Sequence, residues 1–139
     1  MNTTIFISEI VDELQIQAKD NEIDILDIFD LSPETPDFSV VKRQGVFMNV
    51  NFDTKVSYEF RLAHEMSHLI YGDSEIQGIY TFSEFGHRQE ELLAHRNAIR
   101  MLMSIEMPTN INTFMEYYHV PSWLEADVMR TFLEFNYLD

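Results

Sequence analysis

The sequence predicts one α+β domain over residues 1–139, and three observations predict it. Apolar residues recur at helical spacing near both ends and through two long central stretches. Two short β-prone runs flank a polar connection that ends in glycine, the pattern of an antiparallel hairpin. No repeat, low-complexity tract or linker divides the chain, and 139 residues with 45% hydrophobic content suffice for one core.

Taken in order, Ile7, Ile10, Val11, Leu14 and Ala18 share one face while Glu9, Asp12 and Glu13 take the other, so residues 4–20 form an amphipathic helix. Between residues 23 and 38, Pro33 and Pro36 among several aspartates leave room for at most one short strand before a loop. Phe38–Val41 and Val46–Val50 then pair across Lys42-Arg43-Gln44-Gly45 as a small antiparallel sheet. A helix is expected over 54–71, entered through Asp53 or Thr54 as N-cap and stopped by Gly72 in the left-handed conformation. A polar segment from Asp73 to Gly86 leads to a second long helix over 88–103, free of Gly and Pro. Two more helices follow, at 110–118 and 122–135. The latter opens on the capping box Ser122-Trp123-Leu124-Glu125 and repeats Leu124, Val128, Phe132 and Phe135.

Composition narrows the function. With 9 Lys+Arg against 24 Asp+Glu the net charge is −15, a field that repels nucleic-acid backbones and anionic membranes and makes a basic protein the natural partner. Cysteine is absent, which excludes a disulfide scaffold, a thiolate zinc site and a cysteine nucleophile, so any metal must sit on His, Asp or Glu. The N-terminus has no basic region before its apolar stretch, and no apolar run approaches the roughly 20 residues that span a bilayer. The expectation is a soluble, cytoplasmic protein.

The residues that carry chemistry are His64-Glu65-Met66-Ser67-His68, the pattern H-E-x-x-H inside an expected helix. Residues four apart on a helix are about 6 Å apart along the axis and nearly on one face, so both imidazoles can bind one zinc ion. Glu65 lies next to that face, where its carboxylate can act as general base toward water. A catalytic zinc site needs a third protein ligand, and Glu90, Glu91 and His95 begin the next long helix. Glu91 is favoured, completing a His2Glu set, with His95 one turn further on as a hydrogen-bond partner that orients a ligand. An oxyanion donor is unassigned among Tyr80, His87 and His119.

The string RLAHEMSHLIYG, followed by ELLAHRNAIRMLM, resembles the ImmA/IrrE family of metallopeptidases, whose AHExxH helix is followed by E-x-x-A-N-x-F-A-x-x-L-L-M-P. VFMNVN looks like the family's strand leading into the zinc helix, and VPSWLEADVMRTFLEFNYL resembles its helix-turn-helix-like end, so the resemblance covers Phe38 to Leu138. Four positions depart from the pattern. Ser67 stands where many members have glycine, His95 replaces asparagine, Asn97 phenylalanine and Ser104 proline.

The resemblance implies a zincin-like fold: a small, mainly antiparallel sheet packed on the HExxH helix, an antiparallel second active-site helix, and flanking N- and C-terminal helices. It also implies a Zn2+-dependent endopeptidase that cleaves a cytosolic regulator, typically a helix-turn-helix repressor of a prophage or mobile element. A basic repressor is compatible with the −15 charge. The competing reading is a non-catalytic antirepressor that holds its target on the same fold. Glu65 separates the two, because binding alone gives no reason for a general base beside two metal ligands.

Overall fold

The computed structural model describes residues 2–72, 78–85 and 89–137. Among them the chain forms five α-helices and a mixed four-stranded sheet. Helix α1 (Asn2–Asp20) buries Ile10, Leu14 and Ala18, the face that the apolar spacing marks. It runs into strand β1 (Asp24–Ile28), followed by a loop. The loop's backbone acceptors are satisfied from β3 (Gly45–Asn49) and the residues just after it: Asn49 Nδ2 donates to Ser32 O and Thr35 O, and Asn51 Nδ2 to Phe29 O. Those bonds let an irregular segment pack closely without stranded polar groups.

Strand β2 (Phe38–Val40) pairs antiparallel with β3, as the hairpin pattern requires. The left-handed residue of the connection is Gln44, with φ 48°, and not the glycine after it. Strand β4 (Ile79–Thr81) adds antiparallel to the other side of β2, and β1 pairs parallel to β3, giving the order β1-β3-β2-β4. Two of the three pairings are thus antiparallel, and the sheet is mixed. One face of the sheet carries Phe38 stacked on Phe47 at 5.0 Å. The other turns Ser39, Val46 and Met48 into the core.

Helix α2 (Tyr58–Tyr71) lies on that inner face and starts later than the sequence suggests. Thr54 Oγ1 accepts from Val56 N in a local turn, while Ser57 is the N-cap and accepts from Phe60 N. Its end also differs from expectation, because Gly72 is extended (φ −76°, ψ 175°). Glycine is needed there for close approach, since a Cβ would collide with His68 O. Helix α3 (Gln89–Ile105) packs antiparallel on α2, with His68 meeting Glu91 and His64 meeting His95. Helices α4 (Ile111–Tyr118) and α5 (Glu125–Tyr137) close the core. The expected capping box at Ser122 gives way to a 3-10 turn over Ser122–Leu124 with no side-chain cap. Leu124 and Val128 still point inward. No helix among the described residues is long and apolar enough to cross a membrane.

One buried ion pair ties α2 to the sheet. Arg61 Nη1 lies 2.6 Å from Asp37 Oδ2, Arg61 Nε donates to Val56 O, and Asp37 Oδ1 accepts from Asn49 N. Burial raises the Asp37 pKa, and the Arg61 guanidinium works against that rise. Removing one partner of such a pair strands the other charge, so Asp37→Ala should cost about 3–5 kcal/mol. Urea denaturation of the variant against the wild type measures it.

Candidate metal centre

Ten consecutive residues of α2, Glu59 to His68, are buried, so the HExxH segment sits inside the protein with both neighbouring layers supplying its partners. His64, Glu65 and His68 each offer a ligand atom, and these atoms lie within 4.8 Å of one another. From α3, the Glu91 carboxylate spans both imidazoles, with Oε1 3.3 Å from His64 Nε2 and Oε2 2.7 Å from His68 Nε2. Two ligand atoms at about 2.0–2.1 Å from one tetrahedral ion are roughly 3.3 Å apart, the spacing seen between Glu91 and His64. The shorter contact to His68 is the spacing of an ion pair.

The state of the two inner histidines follows from one backbone carbonyl. His95 Nε2 lies 3.0 Å from Ser83 O, which can only accept, so that nitrogen carries the proton. Burial, reinforced by the neighbouring His64, holds the His95 pKa at about 3, so the ring is neutral and its Nδ1 is a bare acceptor. The 3.1 Å contact between the Nδ1 atoms of His95 and His64 therefore has His64 as donor. Burial lowers the His64 pKa as well, so this ring too is neutral, and its Nε2 lone pair faces Glu91 and Glu65. The chain from Ser83 O through His95 sets the tautomer that a metal ligand needs. Both nitrogens of His95 are engaged, and the ring is walled by Phe60, Phe82 and Trp123 at 5.6–5.9 Å. Its contact at the site is with His64.

Glu91 and Glu65 are set apart by their surroundings. Burial works against ionisation of Glu91, yet its contacts with His64 and His68 outweigh that and hold its pKa at about 2. For Glu65, full burial pushes the pKa well up, against a hydrogen bond from Ser39. Glu65 Oε2 is buried without a hydrogen-bond partner, and the partner of His68 Nε2 is the Glu91 carboxylate 2.7 Å away. An orphaned carboxylate oxygen beside a neutral imidazole and an ionised carboxylate fits a divalent cation, because such a site wants neutral histidines and an anionic carboxylate.

Glu90 lies on the surface, sharing a shallow depression with Ser67, His68 and Tyr71, while Glu91 reaches the imidazoles. Of the unassigned oxyanion candidates, Tyr80 is at the site, its ring stacked on His68 at 4.0 Å and 5°. His119 is the exposed left-handed residue that ends α4, and His87 lies outside the described residues. Sequence reasoning missed Ser39 and Trp123, whose Nε1 donates to Glu84 O. A polar residue opposite Val46 in the hairpin register was the available signal for Ser39. Compared with protein-family models, with curated proteins and with solved structures, the chain matches none.

A pH dependence follows from His95. Its folded-state pKa of about 3 lies below the ordinary 6.5, so below pH 6.5 the unfolded chain takes up a proton that the fold refuses. Its contribution is full above 6.5 and is lost as pH falls toward 3, on the order of 2 kcal/mol between pH 7 and pH 5. Glu65 runs the opposite way, because a raised carboxyl pKa favours the fold as pH falls. Metal-free Glu65→Gln, which lacks that compensation, should lose stability from pH 7 to pH 5. Adding His95→Asn should flatten the loss, as read by denaturant melts at the two pH values.

Proposed function

We propose that this protein is a zinc-dependent endopeptidase of the ImmA/IrrE type on a zincin-like fold, acting on a cytosolic regulatory protein. One observation carries the reading: His64 Nε2, His68 Nε2 and the Glu91 carboxylate converge in one buried corner, and Glu65 Oε2 stands unpartnered beside them. Two imidazoles and one carboxylate are a donor set of catalytic zinc sites, which keep a fourth position open. Zinc bound there supplies Lewis acidity toward water and toward a peptide carbonyl.

The chain's own residues do the rest. Glu65 is the general base: buried, and 3.8 Å from His64 Nε2 through Oε2, it takes a proton from water at that atom and later delivers it to the leaving amine. A raised carboxyl pKa suits an acid–base group working near neutral pH. Tyr80, stacked on His68, is the candidate donor to the developing oxyanion. It belongs to β4, an edge strand to which an extended segment of substrate can add by main-chain hydrogen bonds.

The substrate in this reading is a helix-turn-helix repressor with a positive surface. A charge of −15 draws such a partner at long range, and the attraction is screened over about 10 Å at 0.1 M salt, so association should weaken as salt is added.

Zinc titration by chelator competition should show one site per chain, lost in His68→Ala, weakened in Glu91→Ala and kept in His95→Asn within roughly 10–100-fold of wild type. Binding that vanishes with His95 but survives Glu91→Ala would exchange the third ligand.

Glu65→Gln should keep zinc and fold while repressor cleavage drops by several orders of magnitude. Co-expression with a candidate helix-turn-helix repressor and its operator, reading repressor length and operator occupancy together, decides the function. An intact repressor still on its operator defeats the proposal, and an intact repressor released from it transfers the credit to an antirepressor.

A further inference from the structure

Ser39 is the middle residue of β2, between Phe38 and Val40, and alternation along the strand turns it to the inner face of the sheet with Val46 opposite. It is fully buried. A hydroxyl in that position costs stability unless it is hydrogen-bonded, and a β-branched or aliphatic residue would suit the strand better. Its Oγ donates to Glu65 Oε1 at 2.9 Å, a bond between residues 26 apart in sequence. The other carboxylate oxygen, Oε2, is buried, has no hydrogen-bond partner and lies 3.8 Å from His64 Nε2.

The torsion that turns a glutamate carboxylate is broad and roughly two-fold, so the two oxygens are interchangeable until something tells them apart. The Ser39 hydroxyl does so by holding one oxygen on the sheet, which leaves the other aimed at the histidine pair. The neighbouring strand adds a second anchor. Tyr80 is the register partner of Ser39 across β2 and β4, so the two side chains stand on the same face, and the Tyr80 ring lies flat on His68. One cross-strand pair therefore backs both Glu65 and His68.

We propose that Ser39 is the positioning residue of Glu65: its hydroxyl holds Oε1 so that Oε2 alone is presented toward the His64–His68–Glu91 cluster. The inference rests on the peptidase reading for its effect on turnover, and on geometry alone for its effect on Glu65.

The experiment compares zinc-loaded wild type, Ser39→Ala and Ser39→Thr, with thermal melts to establish folding. Zinc affinity and KM in Ser39→Ala should stay within about threefold of wild type while kcat falls roughly 10–100-fold, and Ser39→Thr, which keeps the hydroxyl, should recover most of that loss. Crystal structures of the same three proteins give a readout independent of activity. Glu65 should hold one carboxylate orientation in wild type and Ser39→Thr, and leave it or split between two in Ser39→Ala. Ser39→Val, which suits the strand, lacks the hydroxyl and matches threonine in shape, serves the comparison if the alanine variant does not fold. Wild-type kcat without the hydroxyl, or a Glu65 carboxylate unmoved by its loss, overturns the proposal. If zinc-loaded wild type cleaves nothing, the peptidase reading falls, and the orientation of Glu65 by itself decides the role of Ser39.

Discussion

A helix buried along ten consecutive residues, among them Glu59, Arg61, His64, Glu65, Ser67 and His68, must find a partner from another element for each polar group it carries inward. That requirement organises the molecule. Arg61 takes Asp37 from the segment leading into β2, and His64 takes His95 from α3. Glu65 takes Ser39 from β2, and the Ser67 hydroxyl reaches Ala94 O on α3 as well as His64 O on its own helix. The sheet and α3 are thus fixed against opposite sides of α2 by directional bonds as well as by apolar packing through Phe60, Leu62, Ala63 and Met66. After this pairing Glu65 Oε2 remains without a hydrogen bond, 3.8 Å from His64 Nε2 in the corner where Glu91 meets His68. That unpartnered buried oxygen singles out the corner as the candidate metal centre.

Local patterns were readable in the sequence and non-local ones were not. The faces of α1 and α3, the hairpin, and the grouping of His64 and His68 with Glu91 all follow from periodicities of two or 3.6 residues and from one helix folding back on another. The parallel pairing of β1 with β3 joins segments about 20 residues apart, through a loop whose order depends on the Asn49 and Asn51 side chains, and no periodicity encodes that. Ser39 was missed, and Tyr80 could be named but not placed, for a related reason: each matters through strand register, which sets them opposite one another under α2. The helix boundaries shifted where competing local bonds were equally good, Ser57 replacing Thr54 as cap and a 3-10 turn replacing the capping box at Ser122. Gly72 was correctly singled out for the wrong reason. Its lack of a side chain admits the His68 carbonyl, and its backbone is ordinary.

The two carboxylates show how environment divides labour between chemically similar groups. Glu91 sits against two imidazoles and is held ionised, which suits a ligand. Glu65 sits against a hydroxyl in a dry interior and is biased toward its protonated form, which suits a group that must exchange a proton. The separation is produced by the side chains around them, three of which, His64, His68 and Ser39, come from two elements packed face to face.

The Ser83 carbonyl has a consequence for the composition of the corner. Were His95 free to turn its ring, the corner could offer three imidazoles in place of two imidazoles and a carboxylate, a set of different net charge. Turning it would forfeit the bond to Ser83 O, strand the His64 N–H and disturb a ring wedged between Phe60, Phe82 and Trp123. The third imidazole is therefore withheld, and the centre is confined to two nitrogens and carboxylate oxygen. A main-chain acceptor between β4 and α3 thus fixes which donor atoms the corner presents.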